Sequence, residues 1–162
     1  MIMPHRTLKV PERGMLDAYA ETLAARGYSA DPAQRAAAER LQRLYTELLS
    51  FKVARRSTFR RLLTRTDPPR GVYFWGGVGR GKSFLMDCFY DSVPYKRKKR
   101  IHFHAFMQQV HRQLDALKDQ ADPMDALAAN IARDVRLLCF DEFHVSDIAD
   151  AMILGRLLKA LF

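Results

Sequence analysis

Residues Gly71-Val72-Tyr73-Phe74-Trp75-Gly76-Gly77-Val78-Gly79-Arg80-Gly81-Lys82-Ser83 form a short apolar run, read as a strand, that opens into a glycine loop and closes on Lys-Ser at a helix start. Gly76, Gly81, Lys82 and Ser83 fill the pattern G-x-x-x-x-G-K-[ST], which does one kind of chemistry: it grips polyphosphate. Backbone amides wrap the phosphates, the lysine reaches the β and γ oxygens, and the hydroxyl binds Mg²⁺. Successive amides point inward only if several residues adopt φ values that a Cβ would forbid, hence the glycines. The expected cradle is Gly76, Gly77, Val78, Gly79, Arg80, Gly81, Lys82, Ser83 and Phe84, with Lys82 also counted as catalytic and Ser83 as a metal ligand.

A complementary pair of acids lies near the far end. Leu137-Leu138-Cys139-Phe140 reads as a strand buried on both faces, and it runs into Asp141-Glu142. An Asp at such a strand tip can hold the metal of Mg·ATP, and the next Glu can polarise a water for attack on the γ-phosphate. Asp141 is therefore the second expected metal ligand and Glu142 the expected catalytic base. A catalytic carboxylate implies hydrolysis and points to the P-loop division with an extra central strand.

These residues need a scaffold, and the chain is long enough to build one: 162 residues, 48% hydrophobic, with charge spread along the length. Its net charge of +9 fits anionic partners, whether nucleotide, nucleic acid or an acidic protein surface. No apolar run approaches the roughly 20 residues of a membrane span, and Met1-Ile2-Met3-Pro4-His5-Arg6 lacks the apolar core of a secretion signal, so a cytoplasmic location is expected. Cys88 and Cys139 both fall inside apolar-patterned elements and read as small buried hydrophobes, not as a disulfide.

In chain order, residues 1–14 read as an extended lead-in. Met15 to Arg26 is a helix with apolar Leu16, Tyr19 and Leu23 and a glycine stop at Gly27. Asp31-Pro32 caps a second helix, Ala33 to about Phe51, with a face of Ala37, Leu41, Leu44 and Leu48. Residues 52–70 turn basic around Phe59, Leu62 and Leu63, a helix continuation and linker whose arginines suit a solvated face better than a nucleic acid backbone. Ser83 to Asp91 is the helix behind the loop, offering Phe84, Leu85 and Cys88 for burial. The cationic run Lys96 to Arg100 reads as a solvated turn feeding a short strand, Ile101-His102-Phe103-His104, with His102 and His104 on one face. Helices follow over Ala105–Lys118, Asp122–Ile131 and Ile148–Phe162; Asp147 and Asp150 read as a cap and an acidic first turn.

With both boxes placed, three stretches together closely resemble the ZapE family of AAA-type ATPases, bacterial cell-division proteins with mitochondrial relatives in protein quality control. They are residues 71–83, Arg100-Ile101-His102-Phe103-His104, and the long run from Leu137 through Asp141-Glu142-Phe143-His144-Val145-Ser146-Asp147-Ile148-Ala149-Asp150-Ala151-Met152. The helix start Asp31-Pro32-Ala33-Gln34 is also similar to that family's N-terminal segment. The resemblance implies an α/β fold of the P-loop NTPase, AAA-like type: a three-layer core with a mostly parallel sheet, here over 67–162, preceded by a helical segment and basic linker over 1–66. It implies ATP hydrolysis with ATP and Mg²⁺ as ligands, a cytoplasmic enzyme that can sit at the inner face of the membrane, association with the FtsZ ring, and homo-oligomers of the full-length family. Gln34 or Tyr28 is expected near the adenine.

The family continues past the helix that follows Glu142, through a sensor strand, an arginine supplied in trans and a helical lid, so the core is expected to be incomplete at its C-terminus. That leaves two strand edges unpaired and removes an arginine worth ~10³-fold or more in related enzymes, so little turnover is expected. Two other readings stand beside this one. A DNA-linked AAA ATPase such as a helicase loader uses the basic segments 52–70 and 96–100, although nucleic acid is the less favoured partner. A non-catalytic fragment binds nucleotide and docks on a division partner through its N-terminal helices.

Overall fold

Gly14 and Gly27 bracket the first helix, α1 (Met15–Arg26). The Gly14 amide donates to Asp17 Oδ2 at 2.9 Å, and Gly27 closes the helix in the left-handed conformation with its amide on Ala24 and that of Tyr28 on Leu23. The structure, a computed structural model, describes residues 14–56, 67–77 and 79–161. The lead-in 1–13, the arginine-rich stretch with Phe59, Leu62 and Leu63, Val78 and Phe162 lie outside the described residues. The chain forms two compact units that divide after Pro94.

In the first unit, α2 (Pro32–Arg56) starts where Asp31 Oδ1 accepts from the Gln34 amide at 2.8 Å, as the Asp-Pro signal predicts. It buries Ala38, Leu41, Leu44, Tyr45 and Leu48, so its inward stripe takes in Ala38 in place of the expected Ala37 and gains Tyr45. Helix α3 (Lys82–Ser92) packs on both α1 and α2, burying Leu85, Cys88 and Phe89. Phe84 lies half-buried with its ring 5.7 Å from that of Tyr19 and the Arg26 guanidinium over its face.

The expected strand over residues 71–75 is not formed. Val72 and Phe74 are half-buried while Gly71, Tyr73 and Trp75 are exposed, the alternation of a strand that covers one face, yet these residues pair with no other strand. A strand exists only through its ladder, and the sheet among the described residues contains two other strands.

In the second unit, β1 (Lys98–His102) and β2 (Leu137–Asp141) pair in parallel, Arg100 opposite Cys139 and His102 opposite Asp141. Between them run α4 (Phe103–Ala116) and α5 (Pro123–Asp134), and α6 (Ile148–Leu161) follows β2. The unit's core gathers Phe103, Phe106, Met107 and Val110 of α4, Met124, Leu127 and Ala128 of α5, and Leu154 and Leu157 of α6. This is an α/β chain with a small parallel sheet.

Two expectations fail at the β1–α4 junction. The strand ends at His102, and Phe103 and His104 are helical. Phe103 completes an i, i+3, i+4, i+7 stripe with Phe106, Met107 and Val110, and burying that stripe outweighs the alternation of Ile101 to His104. The two histidines therefore do not share a strand face; His104 bonds Gln108 at 3.0 Å along the helix. The cationic run is not a turn throughout, because Lys98, Lys99 and Arg100 are in β1 itself. β2 also departs from the fully buried strand predicted: only Cys139 is buried, with Leu138 and Phe140 packed against the core edge. A two-stranded sheet has too few neighbours to enclose both faces.

Candidate nucleotide-binding site

The glycine loop sits at the N-terminus of α3, where the first turn of amides has no partner within the helix and carries the positive end of its dipole. Gly76, Gly79 and Gly81 have positive φ of 142°, 78° and 75°. Gly81 is the one of the three whose missing Cβ leaves room for a side chain from outside the loop. It caps α3 in the left-handed region, and a Cβ there would meet Gln34 Nε2 at 2.8 Å. The Lys82 ammonium folds back over the loop and donates to the Gly76 carbonyl at 2.8 Å and the Gly77 carbonyl at 2.6 Å. This puts a positive charge at the loop mouth beside the α3 amides, a donor set of the kind that takes phosphate. Gly77, Arg80 and Ser83 are exposed around the same loop; Phe84 spends its side chain on α1. Val78 is outside the described residues.

Asp141 and Glu142 belong to the second unit. An aromatic group holds the end of β2: Phe140 lies 4.8 Å from Phe106 and 5.8 Å from Phe103 and Phe143. The strand tip is thereby fastened to α4, and its two acids emerge from a packed base. Asp141 is held by Arg100, whose Nε donates to Oδ2 at 2.6 Å and Nη2 to Oδ1 at 3.1 Å, a two-pronged ion pair. The carboxylate raises the guanidinium pKa further above its ordinary value, chiefly through these hydrogen bonds. Glu142 has φ +51°, the one positive φ outside glycine among the described residues, and its exposed carboxylate lies 3.7 Å from His102 Nδ1. Backbone strain of this sort costs about 1 kcal/mol or more and concentrates where a side chain must be aimed. Asp147 caps α6, accepting from the Ala149 amide at 2.8 Å, while Asp150 pairs with His111 Nε2 at 2.7 Å.

Sequence reasoning missed Arg100. It stood as the last residue of a cationic run, yet the β1–β2 register puts it opposite Cys139 and so on the same sheet face as Asp141. Of the two residues offered for the adenine, Tyr28 is exposed and Gln34 donates its side-chain amide to the Arg80 carbonyl at 3.2 Å.

Cys139 lies on that face, buried, and desolvation pushes its thiol up to about 11. The unfolded thiol ionises near 9. Stability therefore falls as pH rises from about 9 to 11, where the unfolded chain releases a proton that the native one keeps. In native protein at pH 8, Cys139 is expected to stay unmodified by iodoacetamide and to react once urea unfolds the chain, as peptide mass spectrometry would show.

Residues 14–162 match the family model described as AFG1-like ATPase. The cell division protein ZapE of Escherichia coli K12 is 46% identical over 155 residues, covering 89% of this chain and 41% of that protein. Lactation elevated protein 1 homolog B of Danio rerio is 46% identical over 110 residues, 61% of this chain and 22% of its own. An uncharacterised Schizosaccharomyces pombe protein is 40% identical over 165 residues, 81% of this chain and 36% of its own. The chain thus spans about two-fifths or less of the length of these relatives. No solved structure matches it.

Proposed function

Because the chain belongs to the AFG1-like ATPase family, we propose that it is an ATP-binding, ATP-hydrolysing core of the ZapE cell-division type. Residues 67–162 carry the P-loop core in this reading and 1–66 the helical lead-in. Lys82 and the amides from Gly77 to Ser83 bind the β and γ phosphates, Ser83 and Asp141 are the ligands offered to Mg²⁺, and Glu142 orients the attacking water. A bound Mg²⁺ would neutralise charge on the phosphate oxygens. Arg100 keeps the Asp141 carboxylate in one rotamer.

The observation that carries the reading is the loop at the α3 N-terminus, with its three positive-φ glycines and Lys82 drawn across the mouth. Association with the FtsZ ring, assembly into homo-oligomers, a cytoplasmic location and weak turnover by this chain alone belong to the same proposal. No helix among the described residues is long and apolar enough to cross a membrane. A protein partner is favoured over nucleic acid because the cationic run is already engaged: Lys99 bonds Gln109, Arg97 bonds the Arg133 carbonyl, and Arg100 holds Asp141.

The test is titration of a fluorescent ATP analogue with and without Mg²⁺, alongside phosphate release. Saturable binding that Mg²⁺ strengthens and that ATP and ADP compete away is expected. No binding would end the reading. Phosphate release stimulated by single-stranded DNA, with affinity falling steeply in salt, would transfer it to a DNA-linked ATPase.

A further inference from the structure

We propose that Gln34 is a positioning residue of the phosphate loop, which aims the loop's amides from the first turn of α2. The proposal rests on the nucleotide-binding reading above and adds a residue from outside the loop to it.

Gln34 stands three residues after the Asp31 cap, where a glutamine would ordinarily return to the cap's own amide. Its side chain goes elsewhere, donating across 46 positions of sequence to the Arg80 carbonyl at 3.2 Å. No peptide among the described residues is cis, so at the Arg80–Gly81 bond the carbonyl and the following N–H point in opposite directions. Holding the Arg80 oxygen outward against α2 turns the Gly81 N–H the other way. The same side chain lies against Gly81, where a Cβ would come within 2.8 Å of its Nε2. Gly81 then passes its own carbonyl to the Leu85 amide at 3.0 Å, starting α3. One amide group thus governs the peptide plane at the corner between loop and helix. Its own backbone is held by the Asp31 carboxylate and by Pro32.

The ligand class this device serves is the polyphosphate, not the base. Wild type, Gln34→Met and Gln34→Ala should be compared for binding of ATP, GTP and inorganic tripolyphosphate, each as a competitor of a fluorescent ATP analogue, with thermal unfolding recorded in parallel. Methionine keeps the bulk and removes the donor; alanine removes both.

Both variants are expected to lose about 5- to 10-fold in affinity, the scale of one hydrogen bond, and to lose it equally for all three competitors. Unchanged affinity in both variants would overturn the proposal. So would a loss for ATP with tripolyphosphate unaffected, which would make Gln34 a contact to the base. A lowered unfolding midpoint with unaltered affinity of the folded protein would also overturn it, leaving Gln34 a packing residue. Absence of nucleotide binding in wild type would remove the site itself, and this role with it.

Discussion

Lys82→Ala is expected to weaken ATP binding by about 100-fold or more, corresponding to some 3 kcal/mol. Two losses combine. The ammonium is the loop's own counter-charge for the β and γ phosphates, and charge-assisted hydrogen bonds at a helix N-terminus are among the strongest a site can offer. The same nitrogen holds the loop closed, at 2.8 Å from the Gly76 carbonyl and 2.6 Å from that of Gly77, so its removal also frees a glycine-rich segment that must then be ordered on binding. Lys82→Arg keeps the charge but not its compactness, and should recover only part of the affinity. Isothermal titration with ATP and with ADP separates the contributions: a γ-phosphate role makes the loss larger for ATP. A Lys82→Ala protein that retained full ATP affinity would remove the phosphate-loop assignment.

The second large effect is expected at Asp141, where a proposed metal ligand is also one half of an ion pair. Asp141→Asn keeps the shape and an oxygen for Arg100 but gives up the carboxylate, so the part of ATP affinity that depends on Mg²⁺ should vanish and any hydrolysis fall by about 100-fold or more. Asp141→Ala should in addition destabilise the second unit by about 1–2 kcal/mol. The Asp141 side chain is 13% exposed and that of Arg100 29%, so the guanidinium left behind is partly, not fully, rescued by water. A urea-unfolding cycle over Asp141→Ala, Arg100→Ala and the double variant measures the pair directly. Additive effects would show that the two side chains do not stabilise one another. ATP affinity in Asp141→Asn that still rises with Mg²⁺ would show that the metal is held elsewhere.

Much of this protein was legible in its sequence because the chemistry restricts the residue types. A polyphosphate cradle demands glycine at Gly81, and a cation at Lys82, whatever surrounds them. Helix starts at Asp31-Pro32, Asp122-Pro123 and Asp147 were equally plain, since a cap satisfies amides a few residues away and needs nothing distant. The buried stripe of α4 was readable in period, though not in extent: the alternation of Ile101 to His104 concealed that Phe103 is worth more against Phe106 and Met107 than at the end of a strand.

What lay beyond reach were contacts between residues far apart in sequence. Arg100 and Asp141 are 41 residues apart, Gln34 and Arg80 46, and neither pair is marked by local spacing. The strand at 71–75 failed in the opposite sense, its apolar run plain while its partner strand was not. The sequence by itself determined which residues carry chemistry suited to phosphate and metal, because that depends on side-chain type and on backbone freedom at single residues. Only the tertiary structure decided which side chains touch them, because a ladder, an ion pair or a strut depends on the distance between segments, and folding alone sets that distance.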